Sequence, residues 1–308
     1  MDFNEFTKVV RDAVEEFMGA EYDIKLHEVA KNNGRKLHGL VIMKRGSNCS
    51  PNIYLEDFYE DFIKGTQIGD IVRKISELYY SQSKADSIDV SFFDDYEQVK
   101  NRLGMKVINY DRNIDMLREM PFIPFEDLAI VFYCVAFNDN LGNGIIMIRK
   151  EHMEKWGVNT VELYQDAITS SCKHFPANIK SLAGMVLSLM GEEAEGEKNE
   201  SINDILVITN DEKVNGASCI FYPELLANIG RRLSKNYYIL PSSIHETLVV
   251  PEQGDYQEVK ILQEMVRQVN KESVNENDFL SDNIYYFDRR TNILKMCECS
   301  DNTMVKCV

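Results

Sequence analysis

The stretch Tyr237–Pro251 constrains this chain more than any other. Two apolar, β-prone runs, Tyr237-Tyr238-Ile239-Leu240 and Thr247-Leu248-Val249-Val250, flank a compact polar knot, Ser242-Ser243-Ile244-His245-Glu246. Pro241 closes the first run and Pro251 the second, and proline has no amide to give a ladder. Short β runs joined by so few residues favour antiparallel hairpins over the long crossovers of a parallel sheet.

The rest of the chain repeats that theme between helices. Residues 3 to 18 read as an amphipathic helix, with Phe3, Phe6, Val10, Ala13, Val14 and Phe17 at three- and four-residue steps. Tyr22 to Leu26 alternates as a half-buried strand, and Leu37 to Met43 returns across an Asn32-Asn33-Gly34 turn. A helix after Ser50-Pro51 sets Leu55, Phe58, Tyr59 and Phe62 on one face and Glu56, Asp57, Glu60 and Asp61 on the other. A second helix follows along Ile68, Ile71, Val72, Ile75 and Leu78. Leu128 to Phe137 is the most apolar strand, and a turn over residues 139–144 leads to Ile145–Ile148. Asn159, with Glu162 three positions on, caps a helix to about Ser171, and Pro176 opens another along Ile179, Leu182, Ala183 and Val186.

Residues 191–203 are acidic and poor in apolar side chains, which predicts a linker between a lobe over 1–190 and a lobe over 204–308. Beyond it come strands at Ile205–Thr209 and Ala217–Phe221, a helix from Pro223 through Leu233, and the opening hairpin. The helix Asp255–Asn270 turns Val259, Leu262, Met265, Val266 and Val269 inward, and a hairpin, Ile284–Phe287 with Ile293–Met296, ends the pattern. The sum is an α+β fold of antiparallel hairpins packed on amphipathic helices. Asn33-Gly34, Asn143-Gly144 and Asn215-Gly216 each fall between two expected strands. One reading is a diverged ββα repeat; the other is that Asn-Gly is the commonest hairpin turn.

Charge excludes several partners. A formal net charge of -16 is the wrong sign for a nonspecific nucleic-acid footprint or for docking on anionic lipid. It leaves room for a basic protein partner. The longest apolar run, Leu128–Phe137, falls short of the roughly 20 residues that span a bilayer. The N-terminal residues lack the basic and apolar regions of a secretory signal, and the seven cysteines are scattered. Reduced thiols in a cytoplasmic protein are expected.

The knot is the densest cluster of usable side chains. Ser243 and His245 are two residues apart, so on a strand they share a face, and serine beside histidine invites a hydrolase reading. Glu246 would then point away, no Gly-x-Ser-x-Gly elbow exists, and Val249 stands where a zincin helix needs its second histidine. The plainer alternative is a turn in which Ser242 and Ser243 cap backbone amides and His245 makes a buried hydrogen bond. Ser242, Ser243, His245, Glu246 and Asn215 are the candidate binding residues; none is assigned a catalytic role.

The remaining motifs read as structure. Gly142-Asn143-Gly144 lacks the third glycine and following helix of a dinucleotide site. Cys297-Glu298-Cys299 with Cys307 lacks zinc spacing. Asp255 with Glu258 and Lys260 falls on a helix, where a nuclease would need strands. No cofactor or metal is implied. Glu56, Asp57, Glu60 and Asp61 form a candidate partner face, set against the commoner case of a solvated one.

Four segments carry a resemblance: Pro51–Tyr59, Asp127–Val131, Val214–Ser218 and Leu240–Glu246. Through them the chain resembles, over nearly its full length, domain-of-unknown-function family 5688, an uncharacterised family of clostridial bacteria. The resemblance implies a bacterial cytosolic setting and an accessory role, and it carries no activity, cofactor or catalytic residue. The expected function is a non-enzymatic interaction or regulatory protein that binds another protein. The alternative is a hydrolase or small-molecule binder around Ser243 and His245.

Overall fold

A computed structural model describes residues 1–83, 87–139, 142–189, 204–241, 243–255 and 257–297. The fold is α+β, with three antiparallel sheets among the described residues. The chain divides into two compact units: Met1–Phe93 with Phe137–Asn143, and Asp94–Ala136 with the described residues from Gly144 onward.

The first unit opens with α1 (Phe3–Met18), started by a reciprocal cap in which the Asp2 carboxylate accepts the Glu5 amide and Glu5 accepts the Asp2 amide. Strands β1 (Tyr22–Ala30), β2 (Lys36–Lys44) and β3 (Asn52–Tyr54) form one sheet in that order. Asn33 and Gly34, at φ of 62° and 70°, make the turn between β1 and β2, a left-handed conformation open to those two residue types. Helices α2 (Glu56–Ile63) and α3 (Ile68–Gln82) complete the unit. Phe6, Val10 and Val14 of α1 bury against Ile24, Leu40, Ile42 and Ile53 of the sheet and Ile71, Val72 and Ile75 of α3. Each such side chain contributes about 1.5–3 kcal/mol of burial, which fixes α1 where its periodicity predicts.

The second unit runs through α4 (Tyr96–Val99), β4 (Leu103–Asn109), α5 (Ile114–Leu117), β5 (Phe122–Phe125), β6 (Leu128–Asp139) up to Ala136, β7 (Gly142–Met147) from Gly144, α6 (Lys150–Trp156) and α7 (Thr160–His174). It continues with β8 (Ala177–Ser181), α8 (Leu182–Leu189), β9 (Leu206–Asn210), α9 (Leu225–Leu233), β10 (Tyr237–Leu240), β11 (Thr247–Pro251), α10 (Glu258–Ser273), β12 (Tyr285–Asp288) and β13 (Ile293–Met296). One sheet orders β4-β6-β5, with β7 also on β6; the larger orders β13-β12-β10-β11-β9-β8. Tyr237 and Tyr238 point to opposite faces of β10. The Tyr237 hydroxyl donates to the Leu226 carbonyl of α9, and Tyr238 packs with Val259, Leu262 and Val266 of α10. The two helices therefore cover opposite faces of the larger sheet.

A carboxylate ties the two sheets of this unit together. Asp127, in the turn between β5 and β6, accepts hydrogen bonds from Tyr285 Oη (2.6 Å), Ser281 Oγ (2.5 Å) and Asn283 Nδ2 (3.0 Å). Burial, with Asp127 beside it, pushes the Tyr285 phenol well above its ordinary range.

Several expectations change. Pro176 precedes a strand, β8, and the helix starts only at Leu182, because Ala177–Ser181 pairs with β9 residue for residue. The expected linker, 191–203, lies outside the described residues; β8 and β9 on either side of it are neighbours in one sheet, so that boundary falls inside the second unit. Ala217–Phe221 belongs to a 3-10 helix, Gly216–Phe221, whose residues up to Ile220 are all buried, so alternation carried no information there. Asn143 and Gly144 lie within β7, and Asn215 precedes that 3-10 helix. The three Asn-Gly pairs thus occupy three different local structures. On α10, Met265 and Val269 face solvent, because Val259, Leu262 and Val266 alone meet the sheet.

Candidate functional site

The knot begins where Pro241 ends β10. Ser242 lies outside the described residues. The Ser243 amide donates to the Glu246 carbonyl (3.3 Å), and Ser243 Oγ accepts the His245 amide (3.0 Å), a serine turn in the expected sense. Three distant segments then hold the loop. The Ile244 amide donates to the Asp278 carbonyl (2.9 Å), and the Ile244 carbonyl accepts the Ala217 amide (3.2 Å). Thr209 Oγ1 donates to the His245 carbonyl (2.8 Å).

The imidazole of His245 is held at both nitrogens. Nδ1 faces the backbone amide of Asn215 at 3.2 Å, and an amide can only donate, so Nδ1 carries the lone pair. The proton therefore sits on Nε2, which donates to Asp278 Oδ1 at 3.3 Å. Asn215 reaches this position at φ 56°, a left-handed conformation that asparagine tolerates better than most residues. Its side chain lies near Tyr133, whose phenol burial pushes up to about 12. The Tyr133 ring lies over Gly104, its directly paired residue on β4, where any Cβ would stand 2.2 Å from the ring. Gly216 is as tightly seated: a Cβ there would meet Thr209 Oγ1 at 2.4 Å and the His245 carbonyl at 2.5 Å.

This geometry limits the chemistry. A serine nucleophile needs its hydroxyl on the imidazole lone pair. Here Ser243 Oγ caps a backbone amide, and the lone pair already receives Asn215. The His245 and Asp278 side chains remain 35% and 37% exposed, so a ligand can reach the pair from solvent. Glu246 is half-buried beside them. The structure thus brings Ser243, His245, Glu246 and Asn215 together and adds Asp278, Thr209 and Tyr133, which sequence reasoning missed. Asp278 and Tyr133 are distant in sequence and belong to no pattern around the knot.

The four acids of α2 do not act alike. Glu56 turns inward: its Oε1 accepts the His38 amide (2.7 Å) and meets His38 Nδ1 (3.1 Å). Asp61 pairs with Lys74 at 2.7 Å, and that ammonium holds its carboxyl below the usual range. Glu60 is 3.6 Å from Lys64, and Asp57 is exposed.

The other motifs are structural where described. Glu258 is buried, and both its oxygens accept the Gln253 amide at 3.1 Å, while Asp255 accepts the Gln257 amide, so these carboxylates shape the entry to α10. Cys297 is buried against the same helix, and Cys299 and Cys307 lie outside the described residues. Among the described residues no group of three or more His, Cys, Asp or Glu could hold a metal ion, and no helix is long and apolar enough to cross a membrane.

No curated protein and no solved structure matches the chain. A family model does match, over residues 3–289, which takes in the knot, Asp127, Asn215 and α10. The protein belongs to DUF5688, a family of unknown function.

Proposed function

We propose that this is a non-enzymatic interaction protein of a bacterial cytosol that acts by binding another protein. The observation that carries the reading is the outer side of α10. Ile261, Met265 and Val269 are 51%, 52% and 45% exposed and stand four residues apart, in one row along the helix. A row of large apolar side chains facing water on a helix whose other apolar side is already packed has no folding role to explain it. Helix faces of this kind are common protein-docking surfaces. The test is affinity capture from the native lysate with the wild-type protein and with Met265→Asp, retained proteins being identified by mass spectrometry. One near-stoichiometric protein retained by the wild type and lost by the variant supports the reading. Recovery of the protein alone, or of the same proteins with both baits, rejects it.

A second reading places a small molecule at the exposed edge of His245 and Asp278, with Ser243 and Glu246 beside them. The solvent access of that pair favours it. A ligand that raises the melting temperature of the wild type but not of His245→Ala would establish it.

A further inference from the structure

The chemistry of the α10 partner can be taken a step further, and this step rests on the protein-binding reading above. We infer that the row Ile261–Met265–Val269 receives an amphipathic helix whose apolar face is bordered by lysine or arginine. The row has the form such a helix needs. Residues four apart on a helix stack into a ridge, and at about 1.5 Å per residue this one runs about 12 Å, matching two turns of a partner's i, i+4, i+8 face. Met265, at its centre, is the apolar side chain best able to adapt to an incoming surface.

The charges around the row choose the partner's sign. At about 100° per residue, Glu272 continues the row at its C-terminal end, and Glu264 is the nearest charge along its flank. Lys260, Arg267 and Lys271 turn further from it. Glu272 accepts the side-chain amide of Gln268 (3.2 Å), and neither acid takes part in an ion pair among the described residues. Two carboxylates without a cation thus border the row, in a chain of net charge -16 that extends the same potential outward. A basic border meets attraction there, and an acidic border meets repulsion. The same charges disfavour a second copy of this chain. Antiparallel pairing about Met265 would set Glu264 beside its own symmetry mate.

The experiment uses the full-length protein and two labelled synthetic peptides of about five helical turns. One has a leucine face and lysine elsewhere; the other has glutamate in place of every lysine. Fluorescence anisotropy should give saturable one-to-one binding of the lysine peptide and at least tenfold weaker binding of the glutamate peptide. Met265→Asp should weaken the lysine peptide at least tenfold. The Glu264→Lys, Glu272→Lys double variant should weaken it and strengthen the glutamate peptide. Val161→Asp, at an exposed apolar position on α7, should change neither. All these positions are exposed, and an unchanged urea midpoint checks folding. Equal affinity for the two peptides overturns the inference, as does lysine-peptide binding that ignores Met265→Asp, or binding to anionic vesicles in place of the peptide. If the lysate capture depends on Met265 while the peptides are not discriminated, the protein-binding reading stands and the basic partner does not.

Discussion

Substituting Gly216 by alanine tests whether the knot is as rigid as its geometry says. The new Cβ would stand 2.4 Å from Thr209 Oγ1, 2.5 Å from the His245 carbonyl and 2.8 Å from the Asn210 amide nitrogen. Two of those three atoms are backbone, so no rotamer change relieves the clash. Overpacking of this kind costs about 1–3 kcal/mol. The Thr209 to His245 hydrogen bond lies in the path of the displacement, and its loss adds about 1 kcal/mol. Against this, alanine stiffens the unfolded chain by about 0.4–1 kcal/mol. The net is a loss of about 2–3 kcal/mol. With a urea dependence of about 2–3 kcal/mol per M, the midpoint should fall by about 1 M. The chain has one tryptophan, Trp156 on α6, so its fluorescence follows the second unit alone. Gly184→Ala is the control within that unit: its Cβ would meet only Ser181 Cβ at an ordinary 3.8 Å, inside α8. It should stabilise the unit by the helix propensity gained, about 0.5–1 kcal/mol, and so raise the midpoint by about 0.3 M. A Gly216→Ala midpoint equal to wild type would refute the reasoning, because the loop would then yield to a group that the structure leaves no room for.

Two further outcomes follow from buried groups. Tyr285→Phe removes one of the three donors on Asp127 and leaves that carboxylate less satisfied, so the second unit should lose about 1.5–3 kcal/mol by the same urea assay; an unchanged midpoint would mean that Ser281 and Asn283 suffice. Burial pushes the Cys134 and Cys219 thiols up to about 12, so at pH 8 neither should be alkylated in the folded protein, while the half-buried Cys49 and Cys172 react first among the described cysteines; peptide mapping that finds Cys134 or Cys219 modified without denaturant would contradict their burial.

What could be read from the sequence follows from where the information lies. The helices α1, α3 and α7 were legible because one side of each faces a core and the other faces water, which prints the helical period in the residues. The hairpins β1–β2, β10–β11 and β12–β13 were legible from their turns. Gly216–Ile220 was not, because a segment buried on all sides has no period to read. Ala177–Ser181 was not, because its strand conformation comes from β9, more than twenty residues on. The site divides in the same way. Ser243 and His245 share one turn and could be found together, but the partners that decide the state of the imidazole, Asn215 and Asp278, are contributed by other segments. The misplacement of Met265 and Val269 has a different cause. Sequence tells how apolar a helix is, while how much of that surface the core uses depends on the width of the sheet beneath it.

That distinction bears on function. A polar cluster and an apolar row make opposite demands on a fold. The polar cluster must be satisfied wherever it is shielded from water, so its conspicuous residues are the ones most readily spent on structure: His245 holds the Asn215 amide, Asp278 holds His245, and Ser243 caps the turn. An apolar row left in water is under the reverse pressure. It lowers solubility, and with about half of Ile261, Met265 and Val269 open to water, a polar residue at any of the three would give up little packing. In a chain otherwise rich in charge, three such side chains in register on one helix are harder to account for by folding than a histidine with two hydrogen bonds. The residues that look chemical are explained by the structure, and the residues that look inert are not, so the surface of α10 is where function is to be sought.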